Sequence, residues 1–280
     1  MNSLPDLSTL TDRLLALLGP DASHPLMFSS GLFWALFVAF LPVYAWLRNS
    51  GRIAAMKIFV SAFSLYFFFH NSGWLFLLLV FTAAIDWGVS HRIASASSVG
   101  RRRAWLLFSL ILSLGVLVAF KYTNFFVGMV ERMLEHNFQP WDIFLPVGIS
   151  FFTFQSLSYT IDVYRGQLKP LPSLLDYAFY VSFFPQLVAG PIVRASDFAP
   201  QIRQPLTITR DMFARGLFFI LIGLFKKAVI SDYISLNFVD RIFDNPGLYS
   251  GLENLLGIYG YALQIYCDFS GYSDMAIGIA

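Results

Sequence analysis

The chain has 280 residues, of which 57% are hydrophobic and only 13% are charged. Soluble domains carry about 45–50% apolar and about 25% charged residues, so both values depart towards a protein in contact with lipid. The net charge of +2 does not point to nucleic-acid binding, and the few charged residues could not cover the outside of a soluble fold. The composition therefore predicts an integral membrane protein.

Residues 1–26 predict a short amphipathic helix that lies on the membrane surface. No basic region precedes their apolar run, and the run is too short for a cleaved signal peptide. An apolar stripe at helical spacing suits one buried face of an interfacial helix. The stripe is formed by Leu7, Leu10, Leu14, Leu17 and Leu18.

Apolar stretches long enough for membrane helices begin at residue 32. A spanning helix needs about 20 mainly apolar residues. The candidate stretches are 32–47, 53–69, 74–89, 104–120, the weaker 122–133, 144–163, 174–192, the short 213–225 and 255–280. We predict an all-α fold, a polytopic transmembrane helical bundle with about seven to nine membrane segments, some of them re-entrant or interfacial. Residues 27–280 are expected to form one domain.

Basic residues in the short loops predict the orientation. Arg48, Arg52 and the run at 101–103 indicate cytoplasmic loops, which places the N-terminus outside. The alternation fails at 174–192, because basic residues flank this stretch on both sides and Pro185 interrupts it. We expect this segment to be re-entrant or interfacial, since irregular backbone at membrane depth requires protein or a watery cavity around it.

The last apolar stretch carries a polar stripe. At 100° per residue, one helix face holds Tyr261, Gln264, Asp268 and Tyr272, and a second polar edge holds Ser270 and Asp274. Such a face must turn towards protein or water, which makes it a candidate cavity lining. The alternative is hydrogen bonding between helices that only fixes their packing.

Fewer polar residues interrupt the other stretches. Gln155 is an open candidate in 144–163, whereas Asp86 ends a span and is expected to reach the interface. Cys267 has no histidine near it in sequence and is interpreted as a packing residue. The single cysteine and four scattered histidines predict no metal site.

Three segments together resemble the membrane-bound O-acyltransferases, in particular their bacterial alginate O-acetyltransferase-like branch. They are LPVGISFFTFQSLSYTIDVYRG (145–166), FFPQLVAGPIVRASDFAPQI (183–202) and GYALQIYCDFSGYSDMAIGIA (260–280). The resemblance extends from about residue 27 to the last residue. It implies an acyltransferase fold of helices around a cavity, with Pro185, Gln186, Gly190 and Pro191 in the cavity wall.

The resemblance also implies an activity. An acyl group, acetyl in this branch, passes from a cytoplasmic donor such as acetyl-CoA to hydroxyls of an exported polysaccharide, with the help of periplasmic acetyltransferase and polysaccharide-export proteins. The acyl donor is a substrate, and no bound cofactor is expected. The implied location is the bacterial inner membrane.

The family's histidine, in a Trp-Arg-Arg-Trp-His type motif, follows the third segment and is absent from this chain. No catalytic residue is therefore assigned, and we expect the chain alone to be inactive, as the N-terminal part of a longer protein or a truncated product. Gln186 stands where related sequences often carry histidine. Two further hypotheses remain open: a non-catalytic subunit that anchors a polysaccharide-modifying complex, and a transporter, against which the lack of a visible internal repeat counts.

Overall fold

The computed structural model describes residues 17–21, 25–135, 139–187, 190–202 and 208–280. All regular structure in these ranges is helical, without a β-strand, which confirms the all-α prediction. Most of the amphipathic segment predicted at 1–26 lies outside the described residues.

The first half of the chain forms long helices. They are α1 (Gly31–Asn49), α2 (Ile53–Ser72), α3 (Phe76–Ser95), α4 (Val99–Leu117), α5 (Thr123–Met133) and α6 (Ile149–Tyr164). The side chains of Ser30 and Ser98 cap α1 and α4 by accepting hydrogen bonds from backbone N–H groups. Gly148 precedes α6 with φ +74°, a conformation that favours glycine.

The second half contains shorter pieces. They are α7 (Leu174–Ser182), α8 (Phe184–Leu187), α9 (Ala195–Gln201), α10 (Arg210–Leu224), α11 (Asp232–Ile234), α12 (Asp240–Asp244) and α13 (Gly251–Ile279). Two π-helical segments, Phe225–Ser231 and Ser235–Val239, connect α10, α11 and α12 into one nearly continuous helical run. Ser250 and Glu253 form a capping box that starts α13, the longest helix described.

Three helical stretches within the described residues are long and apolar enough to cross a membrane. They are Gly31–Asn49, Ile53–Ser95 and Val99–Met133. Their outward surface is apolar: Val38, Ile111 and Phe125 are each more than 60% exposed. Large apolar side chains in such positions are compatible with lipid and not with water. The predicted total of seven to nine membrane segments is not confirmed.

The segment expected to be re-entrant is broken into short helices. α7 has 9 residues and α8 has 4. At 1.5 Å per residue neither covers more than about 14 Å, against about 30 Å of hydrocarbon. Neither helix is long enough to span alone, and the re-entrant or interfacial placement of residues 174–192 stays a prediction.

The chain contains two compact units. The first comprises Met1–Leu26, Lys57–Phe184 and Arg194–Ala199, and the second Met27–Met56, Pro185–Val193 and Pro200–Ala280. In the first unit α3, α4, α6 and α7 pack together around the buried rings of Tyr159, Tyr177 and Tyr180. In the second, α10 and the following π-helix pack along α13. The single domain expected for 27–280 stays a prediction.

Candidate functional site

The polar stripe of α13 faces two consecutive lysines. Lys226 and Lys227 lie in the π-helical segment Phe225–Ser231, which packs against α13. Short π-helical turns are frequently found at functional sites. Neither lysine was singled out in the sequence, where the adjoining segment was noted only as a short apolar stretch. The signal was available: two lysines follow an apolar run directly and need anionic partners.

Each lysine contacts a different edge of the stripe. Lys227 Nζ lies 2.7 Å from Asp268 Oδ1 and 2.7 Å from Asp232 Oδ1. Lys226 Nζ lies 2.6 Å from Asp274 Oδ2 and donates a hydrogen bond of 2.9 Å to the hydroxyl of Ser270. The two predicted edges are thus bound by neighbouring cations. We call these two neighbouring charged groups the lysine–aspartate network and define it by Lys226, Lys227, Asp232, Asp268 and Asp274.

Two serines bond separately to Gln264, one to its side chain and one to its backbone carbonyl. The Gln264 amide donates to Ser235 Oγ at 2.9 Å, and Ser231 Oγ donates to the Gln264 carbonyl at 3.0 Å. Both serines belong to the π-helical segments, so the same helical run meets the stripe along its length. Protein–protein contacts therefore satisfy much of the polar stripe, as the packing alternative requires, whereas its role as a cavity lining stays a prediction.

The two tyrosines of the predicted face behave differently. Tyr272 is buried, accepts a hydrogen bond of 3.2 Å from the Phe28 N–H, and packs its ring 5.1 Å from that of Phe28. Tyr261 is 46% exposed and touches Phe243 edge to face. One predicted helix face thus contains an anchored and an outward-facing ring. Cys267, between them, is buried and has no disulfide partner.

Glycine pairs bring the two helices close enough for these contacts. A Cβ added at Gly271 would lie 2.7 Å from the Gly223 carbonyl oxygen, and one at Gly216 would lie 2.9 Å from that of Gly278. Small residues at such crossings let helix backbones approach closely. The glycines therefore set the separation at which the lysines reach the carboxylates of α13.

The proline- and glycine-containing motif of the second unit is compact. Pro185, Gln186 and Gly190 are buried, while Pro191 is partly exposed. A Cβ at Gly190 would collide with the backbone of Pro185 and would lie 2.8 Å from the Gln186 Cα, so no other residue fits the close return of the chain. Pro185 and Gln186 belong to α8, and Gly190 packs against their backbone, but the predicted place of the four residues in a cavity wall is untested.

Gln155 belongs to the first unit. Its side chain is buried and its amide donates to the Tyr180 carbonyl at 3.1 Å. This hydrogen bond joins α6 to α7 and fixes the Gln155 side chain in the core. Its place in a cavity lining also stays a prediction.

Asp86 lies inside the protein and not on its surface, and its expected place at the membrane interface stays a prediction. The residue is fully buried and its Oδ1 accepts a hydrogen bond of 2.7 Å from Ser109. The sequence placed Asp86 near a helix end, but α3 continues nine residues further to Ser95. Serines on α4 and α6, which sequence reasoning did not connect with Asp86, surround the carboxylate instead.

The described histidines make structural contacts. His70 Nε2 lies 3.3 Å from the Leu17 carbonyl, and His91 Nδ1 lies 2.9 Å from the Trp87 carbonyl. His24 and His136 lie outside the described residues. The lysine–aspartate network can bind and orient charged groups, but no proton acceptor for an acceptor hydroxyl stands out among its members.

Fold and site together define a helical membrane protein with a charged network between two of its helices. Residues 164–280, which contain the network, match the model of the membrane-bound O-acyltransferase family. Two relatives of this chain cover most of it. The peptidoglycan O-acetyltransferase of Helicobacter pylori is 36% identical over 72% of this chain and 43% of its own length. The probable alginate O-acetylase AlgI of Pseudomonas aeruginosa is 35% identical over 91% of this chain and 49% of its own length.

A more distant relative is the teichoic acid D-alanyltransferase of Bacillus subtilis, 28% identical over 55% of this chain and 40% of its own length. Residues 164–280 of this chain therefore form a region of the membrane-bound O-acyltransferase family. It spans about half the length of the curated relatives that it matches.

Proposed function

We propose that this chain is the N-terminal part of a membrane-embedded O-acyltransferase that passes an acetyl group from a cytoplasmic donor to hydroxyls of an exported polysaccharide. One observation carries the proposal: the family match covers the same residues, 164–280, that hold the lysine–aspartate network. Relatives named for O-acetylation of alginate and of peptidoglycan favour acetyl as the group transferred.

The chemistry assigns separate tasks to different parts of the protein. An acceptor hydroxyl attacks the thioester carbonyl of the donor, a base takes the hydroxyl proton, and the donor thiol leaves. In this proposal Lys227 and Asp268 fix α13 and help to orient the substrates, and the contact that joins their two helical segments supports this role. The base is expected in the histidine motif that follows residue 280 in this family.

Location and partners follow from the same proposal. Acetyl-CoA or another acyl donor supplies the group on the cytoplasmic side, where the Arg101–Arg103 run is expected to lie. Acetylated polymer leaves on the periplasmic side with the help of periplasmic acetyltransferase and export proteins. The protein is accordingly placed in the bacterial inner membrane as a multi-pass protein with its N-terminus outside.

The first experiment determines how far the native reading frame continues. Sequencing downstream of the Ala280 codon is expected to reveal a Trp-Arg-Arg-Trp-His type motif. A stop codon at that point would remove the proposed base and would favour a non-catalytic anchoring subunit.

The second experiment measures transfer. The full-length protein is expressed with its periplasmic partners in a host without its own acetylase, and ester-linked acetyl on the exported polymer is quantified. Gln264→Ala combined with Asp268→Ala should lower transfer roughly 10- to 100-fold, because misplacing groups around the reacting atoms by about 1 Å costs about that much. The matched control is Asp244→Asn, an exposed carboxylate at the end of α12. Normal transfer by the folded double variant would contradict the proposed site.

A further inference from the structure

Three helices of the first unit direct hydroxyl groups at one buried carboxylate. Asp86 on α3 is fully buried within the candidate span Ile53–Ser95. Ser109 on α4 donates to its Oδ1 at 2.7 Å, and the hydroxyls of Ser113 on α4 and Ser156 on α6 lie beside the same carboxylate. A carboxylate in a membrane segment is costly and needs a partner.

Two oxygens of this cluster lack a well-formed hydrogen bond, although the Ser113 and Ser156 hydroxyls lie close to the carboxylate. Asp86 Oδ2 and Ser113 Oγ are buried, and neither makes a hydrogen bond of acceptable geometry with a described residue. Both residues line one internal space, together with Thr82, Thr153, Ser156, Val116 and Phe152. That space is too narrow for a water molecule. Buried polar atoms usually find a partner, so two oxygens without a well-formed bond beside one space indicate a missing ligand.

The negative charge of Asp86 indicates that the ligand is positively charged. Among the described residues no lysine, arginine or histidine forms an ion pair with Asp86, whereas Asp176 and Asp274 each have a lysine. Removing a lone carboxylate from water costs several kcal/mol or more unless its charge is compensated. A single positive charge would make the cluster neutral.

The ligand atoms around the space favour some cations over others. The polar residues around the space offer only carboxylate and hydroxyl oxygens, and Thr82 already donates its proton to the Leu78 carbonyl at 3.0 Å, which frees its lone pairs. Oxygen ligands suit hard cations and not those that prefer nitrogen or sulfur. A divalent ion would leave an excess charge, and the narrow space favours a small, dehydrated ion.

We propose that Asp86, Ser113, Ser156, Thr82 and Thr153 form a sodium-binding site that joins α3, α4 and α6. Sodium held between these helices neutralises Asp86 and gives Oδ2 and Ser113 Oγ a common partner. The site belongs to the first unit and is independent of the proposed acyl transfer.

The test is the thermal stability of the purified protein in lipid nanodiscs. At constant ionic strength, replacing choline chloride with NaCl should raise the Tm saturably by about 2–4 °C, and KCl should have a smaller effect. Asp86→Asn should abolish the sodium response. Ser113→Ala removes a hydroxyl that makes no well-formed hydrogen bond, so it should fold and shift the sodium midpoint to higher concentration.

Ser90→Ala is the matched control, because Ser90 lies on α3 and bonds to Tyr159 without lining the space. It should retain the wild-type sodium midpoint. An equal Tm in all three salts, a sodium response that persists in Asp86→Asn, or an unchanged midpoint in Ser113→Ala would each overturn the proposal. An Asp86→Asn protein whose Tm matches or exceeds wild type in every salt would show that Asp86 carries a proton instead. If Asp86→Asn does not fold, the Ser113→Ala midpoint decides.

Discussion

Each of the two compact units pairs aspartates with lysines, but the pairs differ in how far they are buried. In the first, Lys57 on α2 and Asp176 on α7 form an ion pair in which the side chains are only 9% and 8% exposed. In the second, Lys227 is 15% exposed, and its partner Asp268 is 50% exposed. The charges are of the same kind, but one pair is buried and the other is partly exposed.

This difference in burial changes what the removal of one partner costs. A buried pair loses a great deal when one partner is removed, because the remaining charge stays buried. A partly exposed pair is screened and can exchange partners at lower cost. The lysine–aspartate network is therefore the better candidate for contact with a substrate, and the Lys57–Asp176 pair for holding α2 against α7.

The largest stability loss is expected at the buried pair. Lys57→Met leaves the Asp176 charge buried and should lower the free energy of unfolding by about 3–5 kcal/mol. Thermal unfolding in detergent measures the loss. Lys121→Met is the control, since Lys121 is exposed and pairs with no carboxylate among the described residues, contacting Ser150 and the Tyr122 ring. A loss no larger than that of the control would remove the contrast between the two units.

The second-largest stability loss is expected where α10 and α13 cross at their glycines. Gly271→Ala places a methyl group 2.7 Å from the Gly223 carbonyl oxygen and separates α13 from the lysines. Overpacking of this kind costs about 1–3 kcal/mol. Gly115→Ala on α4 is the control, because nothing lies within 4 Å of an added Cβ there. Equal Tm values for the two variants would show that the crossing tolerates a wider separation.

Lys227→Met tests the partly exposed pair. It leaves Asp232 and Asp268 without their shared cation, and the expected loss is about 1–2 kcal/mol, between the values for exposed and buried pairs. A double-mutant cycle with Asp268→Asn measures the coupling. Additive losses in the cycle would mean that the 2.7 Å contact contributes nothing to stability.

The smallest effect is expected at Lys226. Lys226 forms an ion pair with one carboxylate, Asp274, whereas Lys227 contacts both Asp232 and Asp268, so the removal of Lys226 leaves fewer charges without a partner. Lys226→Met should cost less than about 1 kcal/mol. A Tm loss equal to that of Lys227→Met would show that the two edges of the stripe are equally important for packing.

Several features were predictable from local sequence. The apolar stretches at 32–47 and 104–120 correspond to α1 and α4, because length and hydropathy suffice to identify such helices. The broken segment 174–192 was recognisable from its prolines and basic flanks. The stripe of Gln264, Asp268 and Tyr272 followed from the helical period alone.

Other features depended on packing between distant residues. Asp86 was placed at a helix end, although α3 continues to Ser95, and its serine partners lie 23 to 70 positions further along the chain. Lys226 and Lys227 were overlooked because their partners, Asp268 and Asp274, lie on another helix. Helical periodicity shows which residues share a face of one helix, but it does not show which other helix packs against that face.

The sequence by itself determined that the protein is helical, lies in a membrane and resembles the membrane-bound O-acyltransferases, since composition, apolar length and local motifs are properties of the chain alone. Only the tertiary structure decided which polar residues meet. It buries the ion pair of Lys57 and Asp176, leaves the lysine–aspartate network partly exposed, and surrounds the buried Asp86 with hydroxyl groups. Burial and pairing depend on contacts between residues far apart in the chain, which no local pattern records.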